Sequence, residues 1–192
     1  MSENIVAGMD LDKLEAFRKA LEDNPITLGL RSRSVWEGHT GRNTTHIGPF
    51  RLGDQEIDRE TRHYTIQYGA WKEVEETMGA VGPTDRAEPV EMALGAVGAC
   101  LCNSIGLNAA RHGINLEDME VTVSADVDPS VLFELKGPEA HTSCIPNIRC
   151  EVKVKGDLTD EQLQEIKRLV AYSPVHGMMS EKNDIQSTVV RA

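Results

Sequence analysis

Leu11, Leu14, Phe17 and Leu21 recur at three- and four-residue steps with charges between them. This spacing predicts an amphipathic helix over Asp10 to Asp23, ended by Asn24-Pro25. Ile26 to Glu37 mixes β-branched and aromatic residues with arginines and predicts a strand. Gly38-His39-Thr40-Gly41-Arg42-Asn43 reads as a turn, and Thr44 to Leu52 as a second strand. Tyr64, Ile66 and Tyr68 alternate with Thr65 and Gln67, a third strand. Further on, Met119 to Val127 and Ile148 to Val154 alternate apolar with polar residues, each strand with one wet face. Thr159 and Gln162 form a capping-box pair ahead of Leu163, Ile166, Leu169 and Val170, so a helix follows and ends near Tyr172. Ser173-Pro174 predicts the N-cap and first position of a short helix through Met179, and Ile185 to Val190 a last strand.

Between these two groups of elements lies a different pattern. Met78 to Ala87 is a Gly/Pro-rich loop, and Pro89 then opens a long helix that Gly113 stops. Glu88 falls at its N-cap and Glu91 at the third helical position, where a carboxylate suits the positive helix end. Met92 to Ala110 runs 19 residues without a formal charge, a length that raises the question of a membrane span. Gly95, Gly98, Gly106, Asn103, Ser104 and Asn108 make it too polar and too glycine-rich for one, so a buried core helix is expected. The elements together define an α+β fold, with antiparallel sheets packed around a long central helix and a helical extension over residues 1–25 preceding a main domain over 26–192.

Composition narrows the function classes. Apolar residues make up 40% of the 192 and charged residues 27%, the balance of a globular domain; aromatics at 4% leave the core to aliphatic side chains. The net charge of −11 offers no basic excess for phosphates, so neither nucleic acid nor an anionic membrane is an expected partner. Met1 to Met9 lacks the basic start and apolar run of a signal peptide, and a cytoplasmic location is expected. Four cysteines in a chain this long are too few for a disulfide framework and read as reduced thiols. His39, His46, His63, His112, His141 and His176 show no metal-binding spacing, and no metal or cofactor is expected.

Cys100 lies about three turns inside the long helix, beyond the first turn over which the helix dipole acts. Without a cation brought from elsewhere in the fold it is a small core residue. Cys102 points about 200° away around the helix, so the two are not expected to form a disulfide.

The run Glu88-Pro-Val-Glu-Met-Ala-Leu-Gly-Ala-Val-Gly-Ala-Cys100 resembles the helix motif of the OsmC/Ohr superfamily, the osmotically inducible protein C and organic hydroperoxide resistance proteins. Arg42 in Gly41-Arg42-Asn43 matches that family's loop arginine, and Tyr172-Ser173-Pro174-Val175 matches the segment where the family usually has Cys-Pro-Val. The strand–helix order agrees from about Ile26 to Val190. The resemblance implies an intertwined homodimer with two sites at its interface, and thiol-based reduction of organic hydroperoxides. Cys100 would be the peroxidatic thiol, with Arg42 supporting the thiolate and orienting the peroxide.

Two positions depart from the pattern. Ser173 stands where the resolving cysteine is expected, and a serine cannot close a disulfide. An external thiol reductant or Cys144, in a loop before Ile145-Pro146, would have to take that role. Val90 stands where the characterised members place a carboxylate, leaving Glu91 or Glu88 as candidates to support Arg42. A different class of function also fits these departures, a non-catalytic dimer that binds a small hydrophobic ligand at the interface.

Overall fold

The computed structural model describes residues 4–181 and 183–191. The chain forms two units, Asp12–Ala93 and Met1–Leu11 with Leu94–Ala192. The second of these begins with a small hairpin of β1 (Ile5–Val6) and β2 (Met9–Asp10).

The Asp12–Ala93 unit opens with α1 (Leu11–Asp23), the amphipathic helix that the leucine spacing predicts. The single strand expected over Ile26 to Glu37 is two, β3 (Leu28–Gly29) and β4 (Ser32–Trp36). Thr44 to Leu52 likewise divides into β5 (Asn43–Ile47) and β6 (Phe50–Leu52). The reason is a change of sheet at each break. β3 pairs with β6, while β4 pairs with β5. At the second break Pro49 has no N–H to continue a ladder. β7 (Gln55–Ile57) and β8 (Tyr64–Tyr68) complete two antiparallel three-stranded sheets, in orders β3-β6-β7 and β4-β5-β8. A short helix, α2 (Lys72–Thr77), follows.

The long helix α3 (Pro89–Arg111) starts as expected. The Glu88 carboxylate accepts from the backbone N–H of Val90 at 2.6 Å and of Glu91 at 3.2 Å, and the Glu91 carboxylate accepts in return from the Glu88 N–H at 3.2 Å. Three of the unpaired donors of a helix start are thereby satisfied. At the other end Gly113 takes φ +69°, and the Ile114 N–H reaches back to the Ala109 carbonyl at 2.9 Å.

In the second unit, β9 (Asp118–Ser124) and β10 (Arg149–Lys155) pair antiparallel, with Val121 opposite Val152 and Val123 opposite Cys150. Their alternation puts Met119, Val121, Val123, Cys150, Val152 and Val154 on one face. That face meets the stripe of Val97, Leu101, Ile105 and Ala109 on α3. α4 (Asp160–Leu169) adds Ile166 and Leu169 to the same core. Its capping box is formed, with the Gln162 N–H donating to Thr159 Oγ1 and the Thr159 N–H donating to Gln162 Oε1 at 3.0 Å. A 3-10 turn at Val170–Tyr172 leads to α5 (Pro174–Ser180), for which Ser173 is the N-cap, its Oγ accepting from the His176 N–H at 3.3 Å.

α3 is long and apolar enough by length and composition to cross a membrane. Here protein buries one stripe of it, while Met92 and Leu107 on its other sides remain exposed. Leu101 is fully enclosed. Leu101→Ala is expected to lower the unfolding free energy by about 2–5 kcal/mol, the range for a leucine truncated in a well-packed core. Urea denaturation of the two proteins measures it.

The strand expected over Ile185 to Val190 is not formed: residues 183–191 have no regular secondary structure. Ile185 and Val189 are 83% and 98% exposed, and no strand among the described residues pairs with this segment. Alternating β-branched residues favour an extended chain, but a strand exists only where a neighbour accepts its backbone hydrogen bonds.

Candidate functional site

Arg42 sits at the end of the hairpin loop joining β4 and β5. Gly38 and Gly41 take φ +77° and +79°, conformations that side chains with a Cβ rarely adopt. The loop is tied by the Arg42 N–H to the His39 carbonyl at 3.1 Å, and Trp36 Nε1 donates to the same oxygen at 2.7 Å. This delivers the Arg42 guanidinium to Glu75 of α2. Nη2 lies 3.2 Å from Glu75 Oε2 and Nε 3.5 Å from Oε1, while Nη2 also donates to the Gly82 carbonyl. Nη1 makes no hydrogen bond among the described residues. The Arg42 side chain is 12% exposed and that of Glu75 only 3%.

Glu75 is held from a second direction. The Thr84 N–H donates to Oε2, and its hydroxyl lies 3.2 and 3.3 Å from the two carboxylate oxygens. The Thr84 backbone hydrogen bond first, and then the guanidinium, hold the Glu75 carboxyl below the usual carboxylate value. The Gly/Pro-rich loop over 78–87 is pinned to the hairpin at two more points. His39 Nε2 lies 3.1 Å from the Val81 carbonyl. Arg86 Nη1 lies 2.9 and 3.0 Å from the two oxygens of Glu37, which also accepts from the Thr44 hydroxyl at 2.6 Å. The result is a guanidinium with one edge fixed by a buried carboxylate and one nitrogen unengaged.

The carboxylates expected to support Arg42, Glu88 and Glu91, have different partners here. Glu88 and Glu91 cap α3, and Glu91 also accepts from Trp71 Nε1 at 3.0 Å. The local pattern around Glu75 points away from burial. Trp71, Val74 and Met78 fall at helical spacing, which would turn the intervening glutamates to solvent. The structure exposes those three apolar side chains and buries Glu75.

Cys100 lies in the other unit, on α3 one turn after Val97, and is half-buried. Its sulfur makes no hydrogen bond among the described residues. Cys102 is also half-buried, so the two thiols flank the enclosed Leu101, and all four cysteines are free thiols. Cys144 caps a 3-10 turn over Pro138–Ser143, its Sγ donating to the His141 carbonyl at 3.0 Å. Cys150 belongs to the inward face of β10, where burial pushes its thiol up from the ordinary value. Ser173 is buried at 2% exposure and engaged in capping α5. Among the described residues no group of three His, Cys, Asp or Glu side chains is placed to hold a metal ion.

An α+β chain with antiparallel sheets and one long core helix is also the fold of a solved OsmC-like protein from Mycoplasma pneumoniae. The two superpose with a TM-score of 0.53 at 12% identity, over 79% of this chain and 86% of that one. A protein of Psychrobacter arcticus 273-4, described as an osmotic stress induced and detoxification response protein, aligns with a TM-score of 0.49 at 12% identity, over 77% and 85%. The family model for OsmC-like proteins matches residues 82–188, more than half of the chain, and the chain belongs to that family. No curated protein matches it.

Proposed function

We propose that the protein is a homodimeric, thiol-dependent reductase of organic hydroperoxides, acting in oxidative-stress defence in the cytoplasm. Cys100 is the peroxidatic thiol and Arg42 the residue that holds the peroxide. The observation that carries this reading is the Arg42–Glu75 pair: a guanidinium locked on one edge and open at Nη1, in a member of a family whose helix motif supplies the cysteine. Arg42 and Cys100 belong to different units, and α3 leaves apolar side chains uncovered; both features suit a site completed by a second copy of the chain.

The chemistry needs little beyond these groups. The Cys100 thiolate attacks the terminal peroxide oxygen. The S–O bond forms as the O–O bond breaks, and the alkoxide leaves to take a proton and become an alcohol. Arg42 hydrogen-bonds the peroxide and the charge developing on the leaving oxygen. The cysteine is then a sulfenic acid. Ser173 cannot capture it, so an external thiol condenses with it, releasing water. A second thiol then displaces the mixed disulfide and regenerates Cys100. Cys144 is the internal candidate for the first of these steps.

Stopped-flow mixing with cumene hydroperoxide, followed by a sulfenic-acid trap and peptide mass spectrometry, tests this reading. The trap is expected on Cys100. A Cys100 that reacts no faster than free cysteine would sink it. A second reading, a non-catalytic protein that binds a small apolar ligand, is favoured by one observation. A cavity of about 300 Å³ opens among Val97, Ile145, Ile148, Cys150, His176 and Met179. Ligand binding unchanged in Cys100→Ser, with no turnover by the parent, would select that reading instead.

A further inference from the structure

The β4-β5-β8 sheet has two ends, and Arg42 marks one of them. At the other, the register sets Arg33 opposite His46 and His46 opposite Thr65. Side chains two residues apart along a strand share a face. Arg33, His46 and Thr65 therefore form a row across the sheet, extended by Arg31 and His63, with Gly48 as a floor. The His63 ring lies beside this floor: a Cβ at position 48 would stand in ordinary contact with it, 3.5 Å from His63 Cδ2. The space between these groups is a cleft of about 470 Å³.

The charge of this cleft is the reverse of the protein's. The chain carries −11 overall, yet no carboxylate lines the cleft among the described residues. The Arg33 side chain makes no hydrogen bond or ion pair among the described residues. Two carboxylates outside the lining partner other groups of the wall: Glu56 lies 3.6 Å from Arg31 Nη2, and Asp58 engages His63 Nε2. His46 Nδ1 is 3.4 Å from the Thr65 hydroxyl, which leaves its Nε2 for a ligand. An adjoining cavity of about 320 Å³ shares Arg31, Ser32, Ile47, Gly48 and Pro49 with the cleft and adds Leu30, Phe50 and Arg62. There the Arg62 guanidinium stacks on Phe50, 5.0 Å from the ring centroid.

We propose that this cleft binds the phosphate of a small organic phosphomonoester, with Arg31 and Arg33 as its cationic clamp and the hydrogen-bonded His46–Thr65 pair supplying a further donor. Guanidinium forks match phosphate oxygens two at a time, which an isolated lysine cannot do. The neighbouring Leu30, Pro49 and Phe50 surface receives the organic group. This site is separate from Arg42 and does not depend on the hydroperoxide reading. A phosphate head could equally be presented by a lipid surface, and the experiment separates the two.

Calorimetric titration of the full chain at 150 mM KCl, with phenyl phosphate, inorganic phosphate and benzoate, tests the proposal. One phenyl phosphate per chain is expected, bound at least fivefold more tightly than inorganic phosphate or benzoate. Arg33→Gln is expected to weaken it at least tenfold, with Arg33→Lys in between. Arg149→Gln, at an exposed arginine on β10, is expected to leave it unchanged, and hydroperoxide consumption should be the same in all three variants. Circular dichroism confirms that each is folded. The proposal is overturned if the parent does not bind phenyl phosphate, or if Arg33→Gln binds it as the parent does. It is also overturned if Arg149→Gln weakens binding as much as Arg33→Gln. Flotation with phosphatidic acid vesicles without binding of phenyl phosphate would assign the cleft to a membrane surface instead.

Discussion

Cys100→Ser is expected to reduce hydroperoxide consumption to the uncatalysed background, while Cys102→Ser retains at least half of the parent rate. A serine hydroxyl at position 100 keeps the size of the side chain but lacks the nucleophile, because only a thiolate attacks the peroxide oxygen at useful rates. The two positions make a matched pair. Both lie on α3, both are half-buried, and they flank Leu101 on opposite sides. A loss of core packing would therefore affect them alike, and a large difference between them reports chemistry. Equal residual rates in the two variants would remove Cys100 from the reaction. Cys144→Ser extends the series. If Cys144 resolves the sulfenic acid, its replacement leaves the first turnover intact and slows only later ones. If an external thiol does so, the variant behaves as the parent.

The second large effect is expected at the Arg42–Glu75 pair. Arg42→Ala should lower the second-order rate with cumene hydroperoxide by about 10²–10³, the size of effect seen when one fixed donor to a developing negative charge is removed. Glu75→Gln should lower it by roughly tenfold, since the amide keeps the shape but not the charge that fixes the guanidinium. Glu75 is a positioning residue in this reading, acting through Arg42. The double variant should then be no slower than Arg42→Ala alone, a departure from additivity that a merely destabilising change would not produce. Additive losses would separate the two residues.

Glu75 also makes an acid-dependent contribution to stability. Its carboxyl is held below the usual value of 4.5 in the folded protein, by the Thr84 N–H first and Arg42 after it. A group whose folded value is depressed stabilises the fold fully above its unfolded value and loses that contribution as pH falls through the folded one. Thermal stability of the parent should therefore fall progressively below about pH 4.5, and Glu75→Gln should show a shallower decline in the same range. The decline does not vanish, because Glu37, Glu161 and Glu165 are held low as well. Identical slopes for the two proteins would deny Glu75 its share.

The sequence by itself determined the elements whose partners are close along the chain. Pro89 with Glu88 and Glu91 specified the start of α3, and Gly113 its end, because caps satisfy backbone groups within a turn or two. Thr159 with Gln162 did the same for α4, and Ser173 with Pro174 for α5. The alternation in β9 and β10 was legible because one face of each must meet the core. The OsmC-like family was legible too, through the motif that ends on Cys100.

Tertiary structure alone decided what depends on distant partners. The strands expected to be continuous break where the chain changes sheet, and the segment over 183–191 stays irregular for want of a pairing edge. Above all, Glu75 escaped the pattern. A glutamate among exposed charges reads as a solvated one. It is buried because Arg42, 33 residues earlier, and Thr84, nine residues later, converge on its carboxylate. Burial of a charge requires such convergence, and no local periodicity encodes it.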